Sequence, residues 1–380
     1  MRIRLKLIIL YTGLFIAAVA AGIARPAIAY YVKYDIGSTM LAAAGLTSGF
    51  MAGRALASLA SGFLSEVLPR YRWLVVLVGL AISGMVLYVV IPSSRSASTV
   101  IVAMGLWGIV SGFIWPSLQI VTSELGGSRS GTAMAIYFAL GGLGISIGNW
   151  YFGYSKLSYA QLIEISGIAM AFSGLVLAYA SYGIYKRGTS DVKSAVKRVL
   201  NPVILWVILS AFTLGFLSGI LREYFYIYVH EVYGLSKDSL GELLLVSGLM
   251  SVIGGLIAGG LADKIGIARA LYFVLIISAL SSIGLGLPFL GVFIVSAAYV
   301  GANTGVRASM PLTRNAALAG DVGGSLMVGA SNTASSLGMM TGPLVAGLLY
   351  EVSPAYGGLP FLASGFLLFL TIILYRRITG

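Results

Sequence analysis

The chain has 380 residues, of which 58% are hydrophobic and 9% are charged. This is too little charge to cover the surface of a water-soluble globule, so the composition indicates a protein embedded in lipid. Cysteine is absent and His230 is the one histidine, which excludes a disulfide framework, a thiolate nucleophile and a cysteine- or histidine-built metal site. The net charge of +12 comes from residues in short loops between apolar segments, so we expect no nucleic-acid partner.

Apolar segments long enough to cross a bilayer, which takes about 20 residues each, occur on both sides of one basic stretch. Six precede it, near residues 7–32, 39–64, 73–91, 98–122, 130–153 and 160–185. Six follow it, near residues 202–230, 238–262, 270–288, 290–314, 321–349 and 356–375. We therefore predict an all-α membrane protein with twelve transmembrane helices. They form two six-helix bundles, residues 1–185 and 202–380, joined by a cytoplasmic linker at 186–201.

The distribution of lysine and arginine predicts the orientation. With the N-terminus inside, sixteen of these residues fall in loops or termini on the inner side, four fall on the outer side and four lie within helices. Because cytoplasmic loops carry an excess of positive charge, we expect both termini to be cytoplasmic and the chain to be a multi-pass protein of the cytoplasmic membrane, in contact with lipid.

The two halves of the chain align with each other at a constant offset of 197 residues. Gly22, Arg25 and Tyr31 meet Gly219, Arg222 and Tyr228 at this offset. A fixed offset across more than one segment indicates an internal duplication. With six helices in each half, the repeats are parallel and related by an axis along the membrane normal.

The loop between the second and third segments of the C-terminal half reads GGLADKIG at residues 259–266, with Arg269 beyond it. It resembles the signature loop of the major facilitator superfamily, G-x-L-x-D-[RK]-x-G-x-x-[RK]. The copy at residues 62–66 is degenerate, since Glu66 replaces the aspartate. The resemblance implies secondary active transport by alternating access, as a symporter or antiporter, with no cofactor and a monomeric chain. It also implies that Glu66, Asp263 and Arg269 act in coupling or gating.

Four arginines lie inside apolar segments, where a charge costs a few kcal/mol and usually has a partner or a function. Arg25 and Arg222 occupy equivalent positions in the two halves, so two guanidinium groups facing the central cavity could hold a carboxylate or phosphate. Tyr226 shares a helix face with Arg222. Arg307 and Arg54 are unmatched in the repeat. We predict substrate binding for Arg307 and coupling or gating for Arg54.

Two other interpretations of the paired arginines stay open. Arg25 and Arg222 could pair with other groups in gating, or they could anchor the chain at the outer membrane interface. Glu223 could carry a coupling proton, or it could serve a polar group of a neighbouring helix. Gln119 and Asn332 are candidate substrate contacts, although such residues also join helices to each other.

The sequence thus favours a secondary active transporter of a small solute, with a small organic anion as the best interpretation. An alternative is a proton-driven efflux pump for lipophilic compounds. A non-transporting membrane sensor is the alternative from another class. An enzyme is disfavoured, because the sequence contains no recognisable nucleophile–base pair or paired acidic motif. The chain also lacks the G-x-x-x-x-G-K-[ST] loop of ATP-driven transporters.

Overall fold

The structure is a computed structural model that describes residues 2–184, 202–287, 291–318 and 324–379. The helices of the N-terminal half are α1 Arg2–Tyr30, α2 Met40–Val67, α3 Arg72–Met85, α4 Ala97–Gly126, α5 Ser130–Tyr154 and α6 Tyr159–Ser181. Two π-helical turns, Tyr31–Asp35 and Val86–Val90, extend α1 and α3. The predicted linker at 186–201 lies outside the described residues.

The helices of the C-terminal half are α7 Pro202–Ile220, α8 Glu223–Tyr233, α9 Lys237–Ile265, α10 Ile267–Leu285, α11 Val292–Leu318, α12 Gly324–Val352 and α13 Leu359–Thr379. The predicted seventh segment is therefore broken into α7 and α8, which meet at an angle of 45°. Each of the other predicted segments corresponds to one helix. Within the described ranges, nine helices are long and apolar enough to cross a membrane, and the α7–α8 pair makes a tenth.

We call the side on which α1 begins and α13 ends the termini end, and the opposite side the far end. Several helices that begin at the far end carry a side-chain cap. Thr39, Ser96 and Ser236 accept hydrogen bonds from backbone N–H groups of the first turns of α2, α4 and α9, and Ser158 forms a capping box with Gln161 on α6. These caps satisfy donors that a helix start otherwise leaves unpaired.

The helices pack as two pseudo-symmetric bundles. In the first, α1 packs on α5 and α6, and α2 packs on α4; in the second, α7 packs on α12 and α13, and α9 packs on α11. The bundles meet along α2 with α12 and along α5 with α9. Within each bundle, small residues allow neighbouring helices to approach closely. A Cβ added to Gly108 of α4 would lie 1.8 Å from the carbonyl oxygen of Phe50, and one added to Gly338 of α12 would lie 2.1 Å from that of Phe212.

The two ends of the interface between the bundles differ. At the far end, Lys33 pairs with Glu231 at 3.2 Å, the Lys237 ammonium donates to the Ser155 carbonyl at 3.0 Å, and the Leu41 N–H donates to Glu351 at 3.0 Å. Toward the termini end, a cavity of about 450 Å³ separates α5 from α9. The structure is thus closed at the far end and open toward the termini end.

Candidate functional site

A cavity of about 200 Å³ lies between the two bundles, lined by residues of α1, α2, α4, α5, α7, α11 and α12 and by the α7–α8 break. Four of its lining residues are the intramembrane arginines Arg25, Arg54, Arg222 and Arg307. No acidic residue lines the cavity in the part of the chain that the structure describes. All four arginines that the sequence places inside apolar segments therefore line one cavity.

Arg25 forms an ion pair with Glu223 across the interface of the bundles. The distance between Arg25 Nη1 and Glu223 Oε1 is 3.0 Å, and the Glu223 side chain is 0% exposed. The hydroxyl of Thr47 on α2 donates to the other carboxylate oxygen. Glu223 is also the first residue of α8, where the helix dipole favours a negative charge. Three independent groups thus stabilise the buried carboxylate.

The Arg25 guanidinium also lies against two aromatic rings. Its Cζ is 4.6 Å from the centre of the Phe50 ring and 5.7 Å from that of Trp107. Such cation–π contacts contribute about 0.5–2 kcal/mol each, depending on how far the cation is desolvated. Together with the ion pair they fix the guanidinium in one position.

The break between α7 and α8 places Arg222 at the cavity. Arg222 is the residue before α8 and has non-helical backbone angles, φ −110° and ψ −129°. The break leaves the Leu221 carbonyl without its helical partner, and the Tyr299 hydroxyl of α11 donates to it at 3.5 Å. The ring of Tyr299 stacks on Phe225 with 4.0 Å between ring centres. Discontinuous helices of this kind line the binding sites of many transporters.

A smaller pocket of about 50 Å³ adjoins the central cavity, and Arg25, Arg222 and Arg307 line both. Tyr226 lines this pocket as well. The polar side chains Asn149 and Asn303 also belong to the lining. Three guanidinium groups from α1, the α7–α8 break and α11 are thereby brought to one point.

The remaining predicted binding residues are placed differently from one another. Gln119 of α4 lines the central cavity together with Arg54 and is 7% exposed. Asn332 of α12 is buried, but the lining of the cavity includes its neighbour Ser331 instead. The structure therefore groups Gln119 with the arginines and leaves Asn332 in the helix packing.

Three of the predicted coupling or gating residues lie at the termini end, whereas Arg54 lines the central cavity and Glu223 forms the buried ion pair. Glu66 belongs to α2 and Asp263 to α9, but their side chains fall outside what the structure describes. Arg269, on the first turn of α10, is exposed. Its repeat partner Arg72 is buried and forms an ion pair with Glu124 at 2.7 Å. The equivalent arginines of the two loops thus have different environments.

Several residues of the site were missed by the sequence reasoning. Thr47, Phe50, Trp107 and Tyr299 contact Arg25, Glu223 or the helix break. Threonine and aromatic residues are common in apolar helices, so their type carries no signal by itself. The one available signal was spacing, because Thr47, Phe50 and Arg54 recur every three to four residues on one face of α2.

Comparisons with known proteins agree with this architecture. The sequence profile of the Major Facilitator Superfamily matches residues 10–324. A search of curated protein sequences found no match.

Among solved structures, the chain is similar to the human organic anion transporter MFSD10 (TETRAN), with a TM-score of 0.73 and 16% identity over 98% of this chain and 99% of the other. It is also similar to a mutant of the nucleoside transporter NupG, with a TM-score of 0.75 and 12% identity over 100% of both chains. A third similar structure is a bacterial homologue of the human lysosomal transporter Spinster, inward-facing and unoccupied, with a TM-score of 0.74 and 13% identity over 99% of this chain and 97% of the other.

At these identities the structural matches show the fold alone, whereas the profile covers most of the chain. A twelve-helix arrangement in two pseudo-symmetric bundles, a central cavity between them and a matching family profile point to one conclusion. The chain belongs to the Major Facilitator Superfamily and is a multi-pass membrane transporter rather than an enzyme.

Proposed function

We propose that this transporter moves a small organic anion across the cytoplasmic membrane by alternating access. The observation that carries the proposal is the charge of the central cavity: four arginines line it, and no acidic residue lines it within the described ranges. Glu223 neutralises one of them, Arg25, through the buried ion pair. A net positive charge remains in a site of low dielectric, and an anion is the solute that compensates it.

In this proposal Arg222 and Arg307 bind the anionic group, because guanidinium groups match carboxylate and phosphate geometry. Arg25 completes the cluster from α1, held in place by Glu223, Phe50 and Trp107. Tyr226 and Gln119 contribute further polar contacts from the lining. Asn332 is left out, since it does not line the cavity.

Glu223 is the proposed coupling group. When it is ionised, it neutralises Arg25 and joins α8 to α1 and α2. A proton on Glu223 would remove the negative charge from this contact and leave Arg25 free to attract a substrate anion. Substrate and proton would then enter the site together, which favours a symport mode over an antiport mode.

Gating is assigned to the termini end, through Glu66, Asp263 and Arg269 in the signature loops. The excess of lysine and arginine at this end supports cytoplasmic termini. The structure would then be the inward-facing state, since its far end is closed by contacts such as Lys33–Glu231. A monomer surrounded by lipid is the proposed assembly.

The second candidate function is efflux of lipophilic compounds. The aromatic side chains of Phe50, Trp115 and Phe138 in the cavity lining favour it, because large apolar rings can bind varied apolar solutes. The two candidate functions differ in the charge of the solute that the cavity binds.

Thermal-shift screening of the purified protein separates them. We expect small carboxylates and phosphate esters to raise the melting temperature, and we expect Arg222→Ala to abolish this rise. A rise with lipophilic cations alone that persists in Arg222→Ala contradicts the anion proposal and favours efflux. Arg95→Ala serves as the control for loss of an arginine, since Arg95 is exposed and does not line the cavity.

A further inference from the structure

Beyond the arginine cluster, the central cavity contains buried polar atoms without a hydrogen-bond partner. Four of its lining residues contribute one each: Arg54 Nε, Ser111 Oγ, Gln119 Oε1 and Ser331 Oγ. Ser111 and Ser331 are both 2% exposed and Gln119 is 7% exposed. These residues come from α2, α4 and α12, so both bundles take part.

Other polar residues of the same lining are satisfied by their own helix. The Ser309 hydroxyl donates to the Val306 carbonyl at 2.6 Å, and the Thr313 hydroxyl donates to the Ser309 carbonyl at 3.1 Å. A buried polar group without a partner is costly in a folded protein. The four unpartnered atoms are therefore ready to bind a ligand that enters the cavity.

Their positions follow from helix geometry. On α4, Trp107 lies against Arg25, Ser111 follows Trp107 by one turn, and Gln119 lines the same cavity two turns further on. Each four-residue step advances about 6 Å along the axis. On α2, Arg54 likewise follows Phe50 by one turn. The unpartnered groups thus extend from the arginine cluster toward the termini end.

Both donors and acceptors are present in this set. Arg54 can only donate, the serine hydroxyls do either, and the Gln119 amide presents an oxygen or an NH₂ depending on its orientation. A hydroxyl group both donates and accepts, so a row of hydroxyls can satisfy all four. An ammonium group would be repelled by Arg54, and an alkyl chain would leave every one unsatisfied.

We propose that Arg54, Ser111, Gln119 and Ser331 form a subsite for the hydroxylated part of the substrate, so that the transported anion is a polyhydroxylated one. This inference rests on the proposed function, because the arginine cluster must first hold the anionic group. The arginine cluster and this subsite together select a sugar acid or sugar phosphate over an unsubstituted acid of the same length.

The test compares the binding of gluconate and hexanoate, which share a carboxylate and a six-carbon chain but differ in hydroxyl groups, by calorimetry on the intact protein. We expect the wild type to bind gluconate about tenfold or more tightly than hexanoate, as several hydrogen bonds would produce. In the double variant Ser111→Ala, Gln119→Leu we expect the gluconate affinity to fall by about tenfold while the hexanoate affinity stays within about twofold.

The control is Ser364→Ala, which removes another buried and unpartnered hydroxyl that does not line the cavity. It should leave both affinities unchanged. Equal or tighter binding of hexanoate by the wild type overturns the inference, as does a double variant that keeps the preference or loses both ligands to the same extent. If neither carboxylate binds, this inference falls, and the anion assignment falls with it if the phosphate esters of the thermal-shift screen also fail to stabilise the protein.

Discussion

Two ion pairs join the first helix and its π-helical extension to α8, and they differ in burial. Arg25 and Lys33 are eight residues apart, as are their partners Glu223 and Glu231. In the inner pair the side chains are 12% and 0% exposed, whereas in the outer pair they are 19% and 25% exposed. Water screens the outer pair, so it contributes about 0.2–1 kcal/mol. The inner pair cannot lose one member without leaving a buried charge.

The comparison indicates which contact holds the two bundles together at the site. A partner-less charge in the interior costs about 3–5 kcal/mol, so the inner pair controls whether α8 can separate from α1. The outer pair acts as a weak contact at the rim. With the proposed coupling role of Glu223, opening of the far end depends on the inner pair rather than on Lys33.

The largest effect is expected from Glu223→Ala, which leaves the Arg25 side chain, 12% exposed, without its acidic partner. We expect the free energy of unfolding to fall by about 3–5 kcal/mol, measured by denaturation with sodium dodecyl sulfate in mixed micelles. Glu231→Ala is the matched control on the same helix and should cost about 1 kcal/mol or less. Equal losses in the two variants would show that burial does not separate the pairs.

The charge-swapped double variant Arg25→Glu, Glu223→Arg restores opposite charges across the interface. We expect it to recover roughly half of the stability lost in Glu223→Ala, because the ion pair returns while the contacts with Thr47, Phe50 and Trp107 do not. The same denaturation measurement applies. A double variant as unstable as the sum of its single variants contradicts a direct pairing.

Arg222, in the other repeat, is equivalent to Arg25. Within the described part of the chain it forms no ion pair. We expect Arg222→Ala to weaken anion binding by about 10- to 100-fold, as loss of charge-assisted hydrogen bonds would, while the free energy of unfolding is unchanged or higher. Calorimetry measures the anion affinity, and denaturation measures the free energy of unfolding. A large loss of stability would instead assign Arg222 a structural partner.

The smallest effect is expected from Lys33→Met at the rim. It removes one partly exposed member of the outer pair, so the free energy of unfolding should change by about 0.2–1 kcal/mol, and the change should shrink further at high salt. Lys156→Met, at an exposed position of the same end, provides the control. A loss of several kcal/mol would mean that the outer pair is as important as the inner one.

The internal repeat allowed part of this site to be predicted from the sequence. The offset of 197 residues identified Arg25 and Arg222 as equivalents, and the structure brings both to one cavity. The helix break could not be predicted in this way. At the same offset Glu223 corresponds to Pro26, yet α1 runs through Pro26 and the break occurs at Leu221–Arg222, where there is no proline.

The sequence left open that Arg25 pairs with another group and that Glu223 serves a neighbouring helix, but it did not identify the two residues as partners of each other. Helical spacing relates residues of one helix, so it defines only the face of the helix that carries Glu223. Which residue of another helix meets that face depends on how the bundles dock. Thr47 and Trp107 belong to the same category, because only the packing of α2 and α4 against α1 and α8 brings them to the charged pair.

The most direct test of the account is solute uptake into proteoliposomes for a panel of small carboxylates, each paired with its neutral amide. We predict that at least one carboxylate enters faster than in protein-free vesicles, that its amide enters about tenfold more slowly or worse, and that Arg222→Ala removes the difference. Equal uptake of acid and amide, or uptake of amines alone, would contradict a cavity built to carry anions.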